Sequence, residues 1–342
     1  MIILSAPPFK AKESMMYTIF ILYVIVFFIS SDNLHAKIRR KVDNSKLFLY
    51  FCRKFVKMDN WYDKYLTIYG KPFSEVSQKV IEGTRERLAR LQSPEPLVSV
   101  VVIAYNEECR LTACLWSLSE LQTQYPIEII GVNNNSKDGT EKVYQSLCMP
   151  YYNESRQSPG FARQCGLQHA RGKYHFFIDA DTFYPSCYVD KMMGKLSKPG
   201  VSCVGTFWSF YPDDKHSAWG LFWFELIRDT FLWLQHFKRP ELCIRGMTFA
   251  FNADYARQVE IRTDIRRGED GSLALSLKKY GKIDFLYDRQ ARPVTGYGTL
   301  NEGSLLQSLW NRARFQLKGI TRIFHKTDHY EDSEDNLVKN KS

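Results

Sequence analysis

No C-x-x-C pair and no cysteine–histidine spacing of the zinc-ligand kind occurs in this chain, although it holds eight cysteines: Cys52, Cys109, Cys114, Cys148, Cys165, Cys187, Cys203 and Cys243. A zinc module is therefore excluded. A disulfide scaffold is disfavoured as well, because 342 residues with 44% hydrophobic content can bury a core without cross-links. The cysteines are expected as reduced thiols in a cytosolic compartment. Low-complexity tracts are missing too, as befits a globular chain. A basic stripe on the folded region is also lacking. Most of the net charge of +10 is local: Lys37, Arg39, Arg40, Lys41, Lys46, Arg53, Lys54 and Lys57 face a single acid, Asp43. Nucleic acid is excluded as a partner on that ground. A basic block of this kind beside an apolar run suits an anionic membrane surface.

Hydrophobic runs of spanning length are scarce. The candidate is residues 15–29 (MMYTIFILYVIVFFI), which carries no charge and no proline. As a helix it measures roughly 22 Å against a hydrocarbon core of about 30 Å, and Ser30 and Ser31 bring it to the lower limit of a single span. Lys10 and Lys12 ahead of it fit a signal peptide, but no A-x-A cleavage site follows. A buried core helix fits the length. A membrane anchor fits best, because the strongest basic cluster follows at once and belongs on the cytoplasmic side. The expectation is a membrane-associated chain with its folded domain in the cytoplasm. Residues 46–57 (KLFLYFCRKFVK) read equally as a helix on the bilayer surface or as one packed on the domain. Residues 71–92 read as helical, and Ser93-Pro94-Glu95-Pro96 then punctuates the chain.

Residues 97–104 (LVSVVVIA) form the nearly continuous β-branched run of a strand buried on both faces of a mainly parallel sheet. The run ends in Tyr105-Asn106-Glu107-Glu108. Leu111, Cys114, Leu115, Leu118 and Leu121 then fall on one helix face. Residues 127–132 (IEIIGV) are a second strand, leading into a polar loop, residues 133–140 (NNNSKDGT), whose Asp138 or Thr140 suits the cap of the next helix. This is a βαβ unit with a nucleotide-sized crevice at the carboxyl ends of its strands. A further strand, residues 174–178, ends in Asp179-Ala180-Asp181. Two carboxylates one residue apart at a strand end can both address one hard cation, which in turn can bridge a diphosphate and steady its leaving charge.

Taken in order, V-S-V-V-V-I-A-Y-N-E-E, the N-x-S-x-D-G-T loop, A-R-Q-x-G-L-x-x-A-x-G-K-Y and F-F-I-D-A-D-T resemble the successive signatures of family 2 glycosyltransferases. Gly246-Met247-Thr248 and Arg267-Gly268-Glu269-Asp270 resemble that family's acceptor-side elements, so the likeness covers about residues 96–287. The resemblance implies an α/β GT-A nucleotide-diphospho-sugar transferase fold, with a mostly parallel central sheet flanked by helices and, here, an N-terminal hydrophobic helix. It implies an inverting hexosyltransferase-like enzyme with a nucleotide-diphosphate sugar donor, a glycan or lipid-linked glycan acceptor, and Mg²⁺ or Mn²⁺. By the same analogy Ala104, Tyr105, Glu107, Asn133, Asn134 and Ser136 hold base and ribose, Arg163 lies near the diphosphate, Asp179 and Ala180 near ribose or donor sugar, and Asp181 on the metal. Asp270 matches the general base and Glu269 stands beside it. Read without the family, Glu269 and Asp270 are an acidic pair favourable to a helix start.

The chain departs from the family where aspartate is usual: Asn133 and Asn134 are amides, which bond a base or ribose but carry no charge. Gln164 replaces a customary asparagine. Only Gln307, Arg312 and Arg314 stand where processive synthases carry Q-x-x-R-W, at the wrong spacing, so a processive synthase is not expected. Residues 207–237 hold a dense aromatic set that reads either as an acceptor or lipid groove or as core with a membrane-facing helix. The expected layout is an N-terminal segment over 1–34 with an anchor at about 15–31, a basic helical linker over 35–95, a catalytic domain over 96–290, a helical extension over 291–326 and a disordered tail over 327–342. Two rivals are set against the transferase. A nucleotidyltransferase wants a glycine-rich loop where Tyr105-Asn106-Glu107 stands. A catalytically inactive scaffold binding a partner glycosyltransferase would not require Asp179, Asp181 and Asp270 together.

Overall fold

A computed structural model describes residues 60–297. The expected anchor at 15–29, the basic segment at 35–57, Arg312, Arg314 and the tail at 327–342 lie outside the described residues. In chain order the elements are α1 (Asp63–Leu66), α2 (Gln78–Leu91), β1 (Val98–Ala104), α3 (Glu108–Ser119), β2 (Ile127–Asn133), α4 (Thr140–Ser146), β3 (Tyr151–Asn153), α5 (Pro159–His169) and β4 (Tyr174–Asp179). Then follow β5 (Thr182–Phe183), α6 (Tyr188–Leu196), β6 (Val201–Thr206), β7 (Ser209–Phe210), α7 (Ala218–His236), β8 (Phe249–Asn252), α8 (Ala253–Ala256), α9 (Glu269–Leu277), β9 (Lys282–Leu286) and β10 (Val294–Thr295).

The main sheet runs β3-β2-β1-β4-β8-β6-β9. Its strands β3, β2, β1 and β4 are parallel, β8 is antiparallel to both neighbours, and β6 and β9 are again parallel. This is the mostly parallel GT-A-like sheet. Alternation along β1 sends Val98, Val100 and Val102 into one apolar cluster, while Val101 joins the other with Ile103 packed against it. Both faces are covered, and the run therefore shows no polar alternation. Order β2-β1-β4 reverses the chain's progress at β1, and the crevice at such a switch point opens at the carboxyl ends of β1, β2 and β4.

Two stretches sit differently from their sequence reading. Tyr65, Ile68, Val76, Ile81 and Leu88 share a buried cluster with Leu111, Leu115 and Leu118, so α1 and α2 belong to the domain rather than to a linker. The helix expected from residue 71 begins at Gln78, because Pro72 and the short turn Phe73–Glu75 delay it and Ser77 precedes it in extended conformation. Cys109, Cys114, Cys148, Cys165, Cys187, Cys203 and Cys243 are free thiols.

The aromatic stretch divides along α7. Phe207, Trp208, Phe210, Leu221, Phe224 and Leu232 form core. The inward face of α7 also carries Glu225, Arg228 and Asp229, all buried. Asp229 pairs with Arg228 and with Arg292, each at 2.7 Å, and Glu225 accepts from the Phe210 N–H at 2.9 Å. On the other side half-buried Trp223, Leu226, Thr230 and Leu234 follow helical spacing between Trp219, 53% exposed, and Phe237, 45% exposed. The inward face thus joins apolar core to a paired charge network, while Trp219 and Phe237 stand exposed at the two ends of the helix. Among the described residues no helix is long and apolar enough to cross a membrane.

Candidate active site

The turn after β1 and the loop after β2 are stitched together. Asn106 takes a positive φ of 55°, which aims its N–H at Ser136 Oγ (3.0 Å) while its side-chain oxygen accepts from the Lys137 N–H (2.8 Å). Asp138 and Thr140 share the helix starts. Asp138 accepts from the Thr140 N–H at 3.0 Å and, with its other oxygen, from the Glu108 N–H in the first turn of α3 at 3.1 Å. Thr140 is the first residue of α4 rather than its cap, and its hydroxyl accepts from the Glu107 N–H at 2.7 Å. One carboxylate thus serves two helix N-termini, where unpaired N–H groups favour negative charge.

Within this frame Ala104 is buried and Tyr105 is exposed at the crevice end of β1. The Ala104 carbonyl accepts from the Asn134 N–H at 2.8 Å. Asn133 and Asn134 are buried with their amides engaged inside the protein: Asn133 donates to Asn153 at 2.8 Å, and Asn134 donates to the Arg156 carbonyl at 2.8 Å. These side chains shape the loop.

Glu107 lies half-buried and pairs with Arg110 at 2.6 Å. Burial, with the nearby charges of Asp181 and Asp179 adding to it against the pull of Arg110, pushes its carboxyl up to about 8. Asp181 is also raised, first by burial and then by Asp179, and its Oδ1 accepts from the Thr182 hydroxyl at 3.0 Å. Ala180 is buried between the two acids. Glu107, Asp179 and Asp181 therefore feel one another with Arg110 as the cation at that end. Such a donor set fits Mg²⁺ or Mn²⁺ held through one or two carboxylates, the remaining positions being filled by water and phosphate oxygens. No group of three or more His, Cys, Asp or Glu side chains forms a closed protein cage among the described residues.

The other half of the site is organised by Arg163, which is 3% exposed. It contacts Asp270 at 2.8 Å, Glu269 at 3.2 Å and Asp179 at 3.3 Å. Gly246 makes this possible, since a Cβ there would stand 1.7 Å from Arg163 Nη2 and 2.8 Å from Asp270 Oδ2. The Gly246-Met247-Thr248 element thus has a steric reason to begin with glycine. Glu269 and Asp270 are the first two residues of α9, entered through Gly268 at φ 93°, and both are buried. Burial holds the Asp270 proton affinity well above the ordinary carboxylate range; Arg163 opposes that shift, while Glu269 and Asp179 reinforce it. Arg163, which the resemblance puts near a diphosphate, bridges Asp179 of the D-x-D turn and Asp270 of α9. Arg110 is a residue that sequence reasoning does not single out: it lies two residues beyond the Y-N-E-E motif, and its pairing with Glu107 three positions back is the signal that points to it.

A mainly parallel α/β sheet with paired acids at one strand end and a buried base candidate opposite defines a nucleotide-sugar transferase type of site. Residues 99–258 match the sequence model of glycosyl transferase family 2, and this region of the chain is a family 2 glycosyltransferase domain. Glycosyltransferase GlyA of Streptococcus pneumoniae is 26% identical over 194 residues, 52% of this chain and 27% of that protein. Dolichyl-phosphate beta-glucosyltransferase ALG5D of Trichomonas vaginalis is 28% identical over 172 residues, 46% of this chain and 50% of that protein. The chain thus spans half or less of these relatives' lengths. Among solved structures, the mannosyltransferase PcManGT of Pyrobaculum calidifontis in complex with GDP-Man and Mn²⁺ aligns with TM-score 0.46 and 19% identity, over 69% of this chain and 72% of that one.

Proposed function

We propose that this chain moves a sugar from a nucleoside-diphosphate donor to an acceptor hydroxyl with inversion at the anomeric carbon. The observation that carries the reading is the convergence of Asp179 and Asp270 on buried Arg163. One cation fixes the acid of the donor-side turn relative to the base candidate across the crevice. In this reading the crevice residues Tyr105, Glu107 and Ser136 bind base and ribose, and Asp179 and Ala180 face the donor. Asp181 holds the Mg²⁺ or Mn²⁺, which when bound neutralises the leaving diphosphate. Asp270 accepts the proton of the acceptor hydroxyl as its oxygen bonds to the anomeric carbon. The bond from that carbon to the diphosphate oxygen breaks on the opposite face, which gives inversion. Nothing favours the inactive-scaffold alternative, because buried like charges are costly to keep where no chemistry uses them.

Calorimetric titration with UDP and with GDP, each with and without Mn²⁺, tests the donor site. Metal-dependent binding that disappears in Asp181→Ala is the expected result. If neither nucleotide binds under either condition, the transferase reading fails.

The acceptor is proposed to be a glycan or a lipid-linked glycan met at a membrane surface, in synthesis of a cell-surface polysaccharide or a lipid-linked glycan. The charge-free run at 15–29, the basic block after it and the exposed Trp219 and Phe237 support that part. Flotation of the full chain with vesicles of phosphatidylcholine, with and without phosphatidylglycerol, checks it. Co-flotation favoured by the anionic lipid is expected. A chain that stays below both vesicle types overturns the membrane assignment.

A further inference from the structure

Residues 69 and 70 lie ahead of the family-matching region, yet they touch both loops of the donor site. The Tyr69 hydroxyl donates to the Asp181 carbonyl oxygen at 3.0 Å. The next residue, Gly70, takes a φ of 80° and donates its N–H to the Cys109 carbonyl at 2.8 Å. Cys109 stands between Glu107 and Arg110, and Asp181 closes the D-x-D turn. We infer that the Tyr69–Gly70 strap is a positioning device, which sets the spacing of the Glu107–Arg110 turn against the Asp181 turn and so fixes the donor's metal-diphosphate site. The inference rests on the transferase reading above.

Three contacts hold the Tyr69 ring in this place. It packs edge-on against Phe183, 5.1 Å between centroids, and against Tyr211 at 5.6 Å. Gly296 closes the space beside the hydroxyl, since a Cβ there would come within 2.9 Å of it. The charge of Arg110 is held up by Glu107 first, then by Tyr69 and Asp181, against the cost of its burial. The hydroxyl therefore sits among the groups that would flank a bound metal and diphosphate. Tyr69 acts through Asp181 and Arg110 and does not itself touch the reacting carbon. A one-bond change at this point shifts the carbonyl of a ligand-bearing turn, which alters where the Asp181 carboxylate stands. Metal-supported binding is sensitive to such a displacement because Mg²⁺ and Mn²⁺ demand tight oxygen geometry.

The same segment supplies its own control. Tyr65 donates its hydroxyl to Glu120 at 2.8 Å, away from the crevice. Tyr65→Phe and Tyr69→Phe each remove one tyrosine hydrogen bond from residues 65–70, so both should lower the melting temperature by similar small amounts. Only Tyr69→Phe is expected to weaken Mn²⁺-dependent nucleoside-diphosphate binding, by roughly three- to tenfold, which is the worth of one such bond. Gly296→Ala keeps Tyr69 and crowds its hydroxyl, and is expected to move binding in the same direction. The measurement is isothermal calorimetry on the full chain with UDP and GDP in Mn²⁺, with melting curves for each variant. Wild-type binding retained unchanged in Tyr69→Phe, or lost equally in Tyr65→Phe, overturns the positioning role while leaving the transferase reading intact. Absence of binding in the wild type overturns that reading and the inference together.

Discussion

Asp270→Asn is expected to lower kcat by about 10²- to 10⁴-fold, the usual worth of a positioned general base, while metal-dependent donor binding stays near the wild-type level. The substitution is close to isosteric. Its side-chain oxygen can still accept from Arg163, whose Nη2 donates to Asp270 Oδ2 at 3.4 Å, so the hub need not rearrange. What disappears is the ability to take a proton from the acceptor hydroxyl. Loss confined to kcat, with donor affinity kept, marks an interaction used in the transition state and not in binding.

The pH profile gives the same claim a second readout. Burial raises the proton affinity of Asp270 in the folded protein, so its basic form appears only as pH rises beyond the ordinary carboxylate range. Activity of the wild type should therefore climb with pH along a limb set higher than a free carboxylate's, and the residual activity of Asp270→Asn should lack that limb. Linkage fixes the sign for stability. A carboxyl whose folded value is raised ionises first in the unfolded chain, so it withdraws stability as pH climbs from the unfolded value to the folded one. Asp270→Asn removes that cost and is expected to melt no lower than wild type at neutral pH. Glu269→Gln is the comparison. If it depresses kcat more than Asp270→Asn does, the base is Glu269 and the assignment is wrong.

Much of this site could be read before any coordinates, and the reasons are local. Continuous β-branched residues at 97–104 announce a doubly covered strand, because alternation vanishes only when both faces meet helices, as Val100 and Val101 do. Asp179 and Asp181 are legible because a strand end and a one-residue spacing are sequence properties. The acidic pair at 269–270 is legible as a helix start, and α9 begins there. What escaped depends on contacts between residues distant along the chain. Tyr69 carries no motif, and its role follows from a hydrogen bond across 112 positions to Asp181. Arg163 is legible as a residue of the A-R-Q motif, but its ion pairs with Asp270 and Glu269 are not, since they span over a hundred positions. Asn133 and Asn134 are legible as loop amides, but the bonds their N–H groups make to Asn153 and the Arg156 carbonyl, some twenty positions on, are seen only in the folded loop. The aromatic density of α7 is in the sequence, but that Glu225, Arg228 and Asp229 join its buried face while Trp219 stays exposed depends on partners such as Arg292, distant along the chain.

Arg163→Leu is expected to cost about 3–5 kcal/mol of folding stability, the penalty for stripping the partner from a buried ion pair. The wild-type arginine is buried among three carboxylates, two of them nearly inaccessible: side-chain exposure is 5% for Glu269 and 12% for Asp270. Leucine fills part of the volume but leaves Asp179, Glu269 and Asp270 without their paired cation, Arg245 acting on Asp270 more weakly. Their mutual repulsion in a poorly solvated pocket then opposes folding, and taking up protons is the available relief. Urea unfolding should accordingly show the deficit largest at alkaline pH and shrinking as the medium is acidified. Arg163→Lys should fall between, since a single ammonium cannot offer the planar fork that reaches Asp179 on one side and Asp270 on the other. A deficit below about 1 kcal/mol that does not vary with pH would mean that the carboxylates are already neutral or hydrated in the wild type. The convergence on Arg163 would then be packing rather than electrostatics. The expected large, pH-dependent deficit would instead mean that the domain holds costly charge together at the one place where a donor-side acid and a base face the same crevice, an arrangement that stability alone does not favour and that catalysis does.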